Sequence, residues 1–313
     1  MRSVNHAQRC LIAAIFGLSV VVVEAQQVPD NAFTPTIAEP AYQAGRGPRV
    51  VIDAAHLNFH TGDGGYAPFA KLLRLDGYRV EPNREPFTAS SLGGADVLVI
   101  ANAMHKQSEA DWAPLPNYSA FTDAEIAEVE AWVRLGGSLL LIADHMPLAG
   151  HAERLAAAFG VRFQNGFALD SAGSGQITFR RSDGSLPSGP IANGRKASER
   201  VDSVTTYTGQ AFRLDPALRA EPVLVLRDGY QLLLPDVAFK FSERTPRISA
   251  TNLLQGAVVY HGQGRVAVFG EAAMFSAQVV GPDKRPIGMN APDARENYRF
   301  ALNLLHWLSA VPQ

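Results

Sequence analysis

Cysteine is almost absent from this sequence, because Cys10 is the single one in 313 residues. It lies in an N-terminal stretch with the pattern of a removable leader, so the mature chain would contain no cysteine. Such a chain has no disulfide, no thiol nucleophile and no thiolate ligand for a metal ion. Any chemistry therefore depends on histidine, carboxylate, amide and hydroxyl groups.

A large excess of charge is also missing. The chain has 28 basic and 30 acidic residues, and loss of a leader with Arg2, Arg9 and Glu24 changes the formal net charge from −2 to −3. This balance gives no electrostatic basis for binding nucleic acid. The sequence also lacks a P-loop and a Gly-x-Ser-x-Gly elbow. We therefore expect neither a nucleotide cofactor nor a serine hydrolase.

Only one long apolar run is present, and it lies near the N-terminus. Arg2 and Arg9 precede the apolar residues 10–23, and the small residue Ala25 follows. This order is typical of a secretory signal peptide over residues 1–25, with cleavage after Ala25. The run is short for a membrane span. We expect an exported, periplasmic or extracellular protein that has no membrane contact once the signal is removed.

The rest of the chain predicts an arm and one α/β domain. Residues 26–47 are rich in Pro, Ala and Gln and predict an extended arm. Within residues 48–313, buried strands at 49–53, 96–101 and 139–143 alternate with helices, which indicates a doubly wound, mostly parallel sheet. A β-rich layer is inserted at about 170–250, with a hairpin turn at residues 182–184 and a strand at 237–241 among its predicted parts.

The stretch 122–147 is the centre of this pattern. Thr122 and Glu125 form a capping box that starts a helix, and the glycines at 136 and 137 end it. The apolar run 139–143 then predicts a strand buried on both faces. It ends in Asp144 and His145, at the edge where open α/β sheets bind ligands.

Three segments resemble one known superfamily, namely Asp96–Ala101 together with Gly136–Leu141, then Gly264–Gly270, and finally Asn297–Leu308. They are similar to the class I glutamine amidotransferase-like superfamily. The likeness is to its non-amidotransferase branches, the trehalose-utilisation-type proteins and the auxiliary subunits of gliding-motility ABC transporters. The resemblance implies a flavodoxin-like, glutamine amidotransferase-like sheet. It does not imply glutamine hydrolysis, because the nucleophilic cysteine of amidotransferases is missing here.

Polar residues are concentrated after the predicted parallel strands. Histidines 56, 60, 105, 145 and 151 follow the first, third and central strands, and Glu271 follows a late strand. Parallel strands point these exits to one edge, so the residues are expected to line a shared crevice. Imidazoles and carboxylates together suit a divalent metal or acid–base catalysis. The alternative is that these residues are ordinary polar loop positions and helix caps.

We assign the candidate residues to three roles. The expected catalytic groups are Asp144, His145 and Glu271; the expected substrate-binding groups are Asn58, Asn102 and His105; and the expected ligands of a divalent metal are Asp53, His56 and His60. In particular, His60, His145 and Glu271 are predicted to share one pocket.

The favoured function is an exported hydrolase with a His/carboxylate site, with or without metal assistance, acting on a small molecule or carbohydrate. The alternative is a non-catalytic module that binds a sugar or another small ligand. The same folds serve enzymes and binders, so the fold alone does not decide.

Overall fold

The structure is a computed structural model that describes residues 27–109 and 114–310. The predicted signal peptide, residues 1–25, lies outside the described residues. Within these two ranges, no helix has the length and apolar character needed to cross a membrane.

The described chain contains seventeen strands and six α-helices. The strands are β1 (Gln27–Pro29), β2 (Arg49–Asp53), β3 (Arg79–Asn83), β4 (Val97–Ala101), β5 (Ser138–Ile142), β6 (Val161–Phe163), β7 (Phe167–Asp170), β8 (Gln176–Arg180), β9 (Ser203–Tyr207), β10 (Phe212–Leu214), β11 (Ala220–Val225), β12 (Tyr230–Leu233), β13 (Arg247–Ser249), β14 (Leu254–His261), β15 (Gly264–Phe269), β16 (Ala277–Val280) and β17 (Arg285–Gly288). The helices are α1 (Ala67–Leu75), α2 (Ala89–Leu92), α3 (Asp123–Arg134), α4 (Leu148–Ala158), α5 (Pro190–Asn193) and α6 (Asn297–Leu308).

A nine-stranded sheet forms the centre of the molecule. Its first five strands, in the order β3-β2-β4-β5-β15, are all parallel. The antiparallel strand β14 follows β15, then come β10 and β6, while β11 also pairs with β14. Every residue of β4 and β5 is buried, as expected for strands covered on both faces. The predicted fold class is confirmed.

Helices cover both faces of the parallel strands. Because strand side chains alternate in direction, Leu140 and Ile142 pack into one core with residues of α1 and α6. Leu139 and Leu141 pack into the other core with residues of α3 and α4. This double covering explains why the central run lacks polar residues.

The predicted start and end of α3 are confirmed. The Thr122 side chain accepts a hydrogen bond from the Glu125 amide, and the Glu125 carboxylate accepts one from the Thr122 amide. The chain leaves the helix through Gly136, which has a positive φ of 120°. That conformation favours glycine because it has no Cβ.

The β-rich layer differs in two details from the sequence prediction. A turn does lie near Gly184, but β8 pairs with β9, more than twenty residues later, and not with a neighbour across that turn. The predicted strand at 237–241 is wrong, since only Val237 forms an isolated bridge, with Pro114. Phe239 has a positive φ of 61°, which breaks an extended strand, and its ring packs on other aromatic rings.

The N-terminal arm is held along its described length. Its strand β1 pairs with β16, and β16 forms a hairpin with β17. Neither β1 nor this hairpin was predicted. The Lys71 ammonium of α1 donates to the carbonyls of Asn31 and Phe33 at 3.0 and 3.1 Å. The Ala41 amide donates to Asp76 Oδ1 at 2.8 Å. The arm therefore covers α1 and approaches the end of α6.

Candidate functional site

The carboxyl ends of four parallel strands meet at one edge of the sheet. In register, Ile142 at the end of β5 pairs with Ala101 of β4 on one side and Phe269 of β15 on the other. Strand β2 lies between β3 and β4, so the strand order reverses beside it. Such a reversal is where open α/β sheets form a ligand crevice. All nine sequence-predicted site residues are at this edge or in the loops that leave it.

A buried histidine joins two carboxylates beneath the loop after β2. His56 Nδ1 lies 2.9 Å from Asp53 Oδ2, and His56 Nε2 lies 2.8 Å from Glu125 Oε1 on α3. The imidazole packs against Phe87 and Phe121, at ring-centroid distances of 4.5 and 4.8 Å. Both ring nitrogens are therefore used within the protein. Asp53, His56 and Glu125 are called the buried histidine network below.

The charges in this network stabilise one another. Burial lowers the pKa of His56, but the hydrogen bonds and negative charges of Asp53 and Glu125 outweigh burial and raise that pKa overall. Burial opposes ionisation of Glu125, yet hydrogen bonds from Thr122 and His56 bring its pKa down to about 2. The network is thus an imidazolium between two carboxylates, and it fixes the loop after β2 to the start of α3.

Asn58, a predicted substrate-binding residue, supports the same loop. Its side-chain nitrogen donates to Asp53 Oδ2 at 3.0 Å, and its side-chain oxygen accepts from the His56 amide at 3.1 Å. The Asn58 side chain therefore holds the loop in shape.

Two further carboxyl groups follow the neighbouring strands β5 and β15. Asp144 Oδ1 accepts a hydrogen bond from the His145 amide at 2.9 Å. The Glu271 carboxyl accepts from the amides of Ala273 and Met274 at 2.7 and 2.8 Å. Glu271 is 0% exposed and Asp144 is 9% exposed. Asp144 and Glu271 are called the carboxyl pair below.

The carboxyl pair resists double ionisation. Burial, and then the charge of Asp144, raises the pKa of Glu271 well above its usual value, although backbone amides oppose this. Burial also raises the pKa of Asp144, against the opposing effects of His145 and of hydrogen bonds. Two like charges in a water-poor site favour retention of one proton between them.

Tyr66 connects the carboxyl pair to the loop after β2. Its hydroxyl donates to the Ala272 carbonyl, next to Glu271, at 2.8 Å. Burial and then the charges of Glu271 and Asp144 raise the pKa of Tyr66 well above its usual value. The His60 ring stacks on Tyr66 with a centroid distance of 4.7 Å. These contacts form a path from His60 to the carboxyl pair.

His60 is seated as a neutral side chain. Burial lowers its pKa to about 3, and among the described residues its Nδ1 has no hydrogen-bond partner. A Cβ on Gly65 would lie only 2.5 Å from that nitrogen, so the close approach requires glycine at this position. Gly65 thus makes room for the imidazole.

His145 lies on the more open side of the carboxyl pair. Its Nδ1 is 2.8 Å from the Met146 carbonyl, so Nδ1 donates a hydrogen bond to that oxygen. The half-buried imidazole stacks on Phe167 at 4.6 Å. Asn102 has a positive φ of 50°, and its side-chain oxygen accepts from the Asp144 amide at 2.9 Å. Asn102 therefore positions the backbone that carries Asp144 and His145.

The other two histidines contact the same segment before α3. His105 Nδ1 accepts from the Gln107 amide at 3.2 Å, and its ring lies 5.5 Å from Tyr118. His151 is fully buried and donates from Nδ1 to the Tyr118 carbonyl at 2.6 Å, while its Nε2 accepts from the Ser108 hydroxyl at 2.7 Å. His151 holds the segment in place, and His105 is the more exposed of the two.

The three predicted metal ligands do not converge. Asp53 and His56 are bonded to each other, while His60 stacks on Tyr66. Across the described ranges, no group of three or more His, Cys, Asp or Glu residues is arranged to hold a metal ion. In this arrangement Asp53, His56 and His60 therefore do not form a common site for a divalent metal.

Apolar side chains surround the edge where His145 lies. Among the residues that the structure describes, nine large apolar side chains are exposed, and six of them belong to three loops here. The six are Leu57, Phe59, Leu115, Tyr118, Phe239 and Phe241. The loops touch one another, since the Phe59 amide donates to the Asn102 carbonyl and the Leu115 amide donates to the Asp236 carbonyl. We call these six side chains the apolar rim.

A cavity of about 590 Å³ opens on the other side of Glu271. It is lined partly by Gln176, Tyr207, Arg285 and Asp293. The Tyr207 amide contributes a hydrogen bond to Glu271, and the Tyr207 hydroxyl donates to Asp293 Oδ1 at 3.2 Å. The backbone of Tyr207 thus links the wall of this cavity to Glu271.

Sequence reasoning missed two residues that organise the edge. Glu125 was recognised as a helix cap, but its second contact, with His56, crosses 69 positions and leaves no local pattern. Tyr66 precedes α1 and reaches Ala272 across 206 positions, a contact that leaves no local pattern either. Tyr66 connects His60 to the segment of Glu271, and Asp144 lies next to His145. That His60, His145 and Glu271 share one pocket stays a prediction.

No protein family model matches this sequence, and no curated protein matches it. Among solved structures, the mmIFT52 N-terminal domain matches with a TM-score of 0.57 and 15% identity, over 83% of this chain and 97% of that one. A ThuA-like protein from Bacteroides uniformis matches with a TM-score of 0.44 and 11% identity, over 88% of this chain and 94% of that one.

A GMP synthase component from Thermoplasma acidophilum matches with a TM-score of 0.38 and 13% identity, over 85% of this chain and 95% of that one. At identities this low, the likeness concerns the fold alone. The mmIFT52 domain supports the overall architecture, and no activity is transferred from any of the three.

Proposed function

We propose that this chain is an exported, hydrolase-type enzyme whose acid–base site is built from Asp144, His145 and Glu271. The observation that carries the proposal is the carboxyl pair at the sheet edge. Its members follow adjacent parallel strands, and burial raises the pKa of both carboxyl groups, so the pair favours holding a proton. Enzymes commonly separate an acid from a base by giving paired groups different environments.

The three groups have distinct roles in this proposal. His145, the most accessible, accepts a proton from the attacking water and returns it to the leaving group as the scissile bond breaks, while its Nδ1 stays near the Met146 carbonyl. Asp144 stabilises the imidazolium that forms, because an adjacent negative charge favours protonated histidine. Glu271 does not reach the surface, so it is a positioning residue that sets the charge of Asp144.

The apolar rim supports a small molecule or carbohydrate as substrate. Rings of Phe239 and Phe241 lie near His145, through contacts with Phe167 at 5.0 Å each. Aromatic faces beside polar groups suit ligands that have both C–H faces and hydroxyl groups. The same loops carry His105, which can orient a polar group of the substrate.

The second candidate is a non-catalytic binding module of the same fold. One observation favours it: the rim is well exposed, whereas the carboxyl pair is almost entirely buried. In that case the rim binds a sugar or other small ligand, and the buried carboxyl groups only support the loops.

A hydrolysis screen separates the two candidates. Purified chain would be tested with p-nitrophenyl glycosides and p-nitrophenyl esters, next to the variants Asp144→Asn and His145→Gln. The enzyme proposal expects turnover that falls at least 100-fold in both variants, within the range that general acid–base groups contribute. The control is His261→Gln, whose imidazole binds Glu130 at 2.7 Å at the turn between β14 and β15.

Two results would count against the enzyme. Turnover that is unchanged in both variants would exclude Asp144 and His145 as the active groups. Saturable binding of a glycoside without any turnover, unaffected by Asp144→Asn and weakened by Phe239→Ser, would favour the binding module. Export is tested separately by mass spectrometry of the mature N-terminus, which is expected near Gln26.

A further inference from the structure

A cavity of about 630 Å³ lies at the last two strands of the nine-stranded sheet, β10 and β6. Strand β14 separates them from β15, the strand that Glu271 follows. The cavity is lined by Arg162, residues 212–216, Pro222, Asn252 and Leu254. Its volume is within the usual range of small-molecule sites, about 300–1,000 Å³. None of its residues belongs to the proposed hydrolase site.

Two arginines lie directly opposite each other on the face of the sheet that borders this cavity. In the antiparallel register, Arg213 of β10 is the partner of Arg162 of β6. The next pair, Phe212 and Phe163, packs into the core that is shared with α3 and α4. Side chains alternate in direction along a strand, so the two arginines point away from that core. Both are exposed and line the cavity.

The protein does not neutralise these two guanidinium groups. Among the residues that the structure describes, neither Arg162 nor Arg213 forms an ion pair. Arginine remains protonated in proteins, so both groups are positively charged. Like charges directly opposite each other on a sheet are destabilising. An anion bound between them would remove the repulsion and accept hydrogen bonds from both.

Asp215 limits the negative charge that a ligand can carry. It is the one acidic side chain among the residues that line the cavity, so with the two arginines the wall has a net charge of +1. A carboxylate, with a single charge, matches this wall better than a phosphate group, which carries about 1.5 to 2 negative charges at pH 7. Asp215 Oδ1 accepts from the Ala217 amide at 3.0 Å, which leaves Oδ2 for a ligand hydroxyl.

The remaining wall suits the hydroxyl groups and C–H faces of a sugar. Asn252 is exposed, and its backbone amide donates to the Leu226 carbonyl at 2.9 Å, which fixes its position. The Asn252 side-chain amide can both donate to a hydroxyl group and accept from one. Pro216 and Pro222 add exposed apolar rings to the wall. Polar groups beside such apolar surface are typical of small-molecule sites.

We propose that this cavity binds a sugar acid, that is, a sugar unit with one carboxylate such as a uronic acid. The carboxylate lies between Arg162 and Arg213, which donate hydrogen bonds to its two oxygens. Ligand hydroxyl groups bond to Asp215 and Asn252, and a C–H face of the ring lies against the two prolines. The site is separate from the proposed hydrolase site and does not depend on that proposal.

The proposal is tested by isothermal titration calorimetry of the full chain at pH 7 and low salt, with D-glucuronate, D-glucose and inorganic phosphate. We expect glucuronate to bind at least tenfold more tightly than glucose, and more tightly than phosphate. Arg162→Gln and Arg213→Gln each remove one of the two cations and should each weaken glucuronate binding at least tenfold. The matched control is Arg46→Gln, at an exposed arginine of the N-terminal arm, which should bind normally.

One further variant separates this site from the proposed hydrolase site. His145→Gln should leave glucuronate binding unchanged, whereas Arg213→Gln should leave any hydrolysis unchanged, so each proposal can fail without the other. Four results would each overturn the sugar-acid site: equal binding of glucose and glucuronate, tighter binding of phosphate than of glucuronate, loss of glucuronate binding in His145→Gln, or unchanged glucuronate binding in both arginine variants.

Discussion

The buried histidine network and the carboxyl pair use the same residue types at the same sheet edge, with opposite electrostatic results. In the network, His56 lies between Asp53 and Glu125, so every charge has an opposite neighbour and the pKa of Glu125 falls to about 2. In the pair, Asp144 and Glu271 repel each other, and both pKa values rise. The first arrangement pairs opposite charges and stabilises the fold, whereas the second brings two carboxyl groups together and favours binding of a proton.

This difference shows how a histidine near a carboxylate should be interpreted. His56 has the stronger contacts, yet neither of its nitrogens is available to a ligand. His145 is more accessible, and its Nδ1 donates to the Met146 carbonyl. A reactive site is distinguished from a structural one by its accessibility and by charges that have no opposite partner, more than by the number of contacts.

The largest expected effect comes from removing the centre of the network. His56→Leu leaves two carboxylates buried without a cation, so we expect the free energy of unfolding to fall by about 3–5 kcal/mol. Urea denaturation at pH 7 measures it. The matched control, His261→Leu, breaks the more exposed pair with Glu130 and should cost no more than about 1 kcal/mol. Equal losses in the free energy of unfolding would mean that the buried histidine network stabilises the fold no more than the exposed pair does.

The next prediction separates the two arrangements by pH. A raised folded-state pKa gives Glu271 a stabilising effect that is present below its unfolded pKa, near 4.5, and is lost as the pH rises through the folded pKa. Relative to wild type, Glu271→Gln should therefore become more stable, by about 1.4 kcal/mol or more, between pH 4 and pH 8, since one pKa unit corresponds to that amount. Denaturant titrations at several pH values measure the difference.

Glu125→Gln is the control for that experiment. The pKa of Glu125 is shifted in the opposite direction, and its effect on stability falls in a lower pH range. The depressed pKa of Glu125 gives stability above about pH 4.5 that is lost as the pH falls toward 2. The variant should thus lose stability relative to wild type as the pH rises from 2 to 5. A Glu271→Gln difference that stays constant with pH would show that folding does not raise the pKa of Glu271.

A smaller effect on stability is expected from Tyr66, which links the loop after β2 to the carboxyl pair. Tyr66→Phe removes the hydrogen bond to the Ala272 carbonyl and should lower the free energy of unfolding by about 1 kcal/mol. Tyr78→Phe removes a comparable bond to Ser309 at the other edge of the sheet and should cost a similar amount. Only the Tyr66 variant should also change turnover or ligand affinity. Equal functional effects would remove Tyr66 from the site.

The smallest change in stability is expected at the apolar rim. Phe239 is 54% exposed, so Phe239→Ser should alter the free energy of unfolding by no more than about 0.5 kcal/mol. Ligand affinity or kcat/KM should nevertheless fall several-fold. Leu135→Ser, at an exposed position after α3, is the control for loss of apolar surface alone. If both variants bind ligand as well as wild type does, the rim has no part in recognition.

The parallel half of the fold was predictable because its signals are local. The residues from Thr122 to Asp144 contain the helix cap, the stop and a strand whose two faces are both buried, and each of these was found in the structure. Placing Glu271 at the same edge as Asp144 also followed from strand direction, since β15 is parallel to β5.

The remainder depended on contacts between distant residues. The strand β1 is three residues long and is stabilised by β16, about 250 positions away, so the sequence near it has no pattern to find. Likewise, His56 was assigned to a metal because its partner Glu125 could not be seen from spacing. The strand expected at Phe239 failed for a related reason, because aromatic contacts with Phe167 override its local preference.

The position of β15 has a consequence for how the protein is made. Strand β5 is complete at residue 142, but its second neighbour in the sheet is β15, which ends at residue 269. During synthesis, one edge of β5 therefore stays unpaired while more than a hundred further residues are added. An unpaired apolar strand edge can pair with other chains. A nascent chain stopped near residue 250 should aggregate or bind a chaperone, and release from that chaperone should require emergence of β15 from the ribosome.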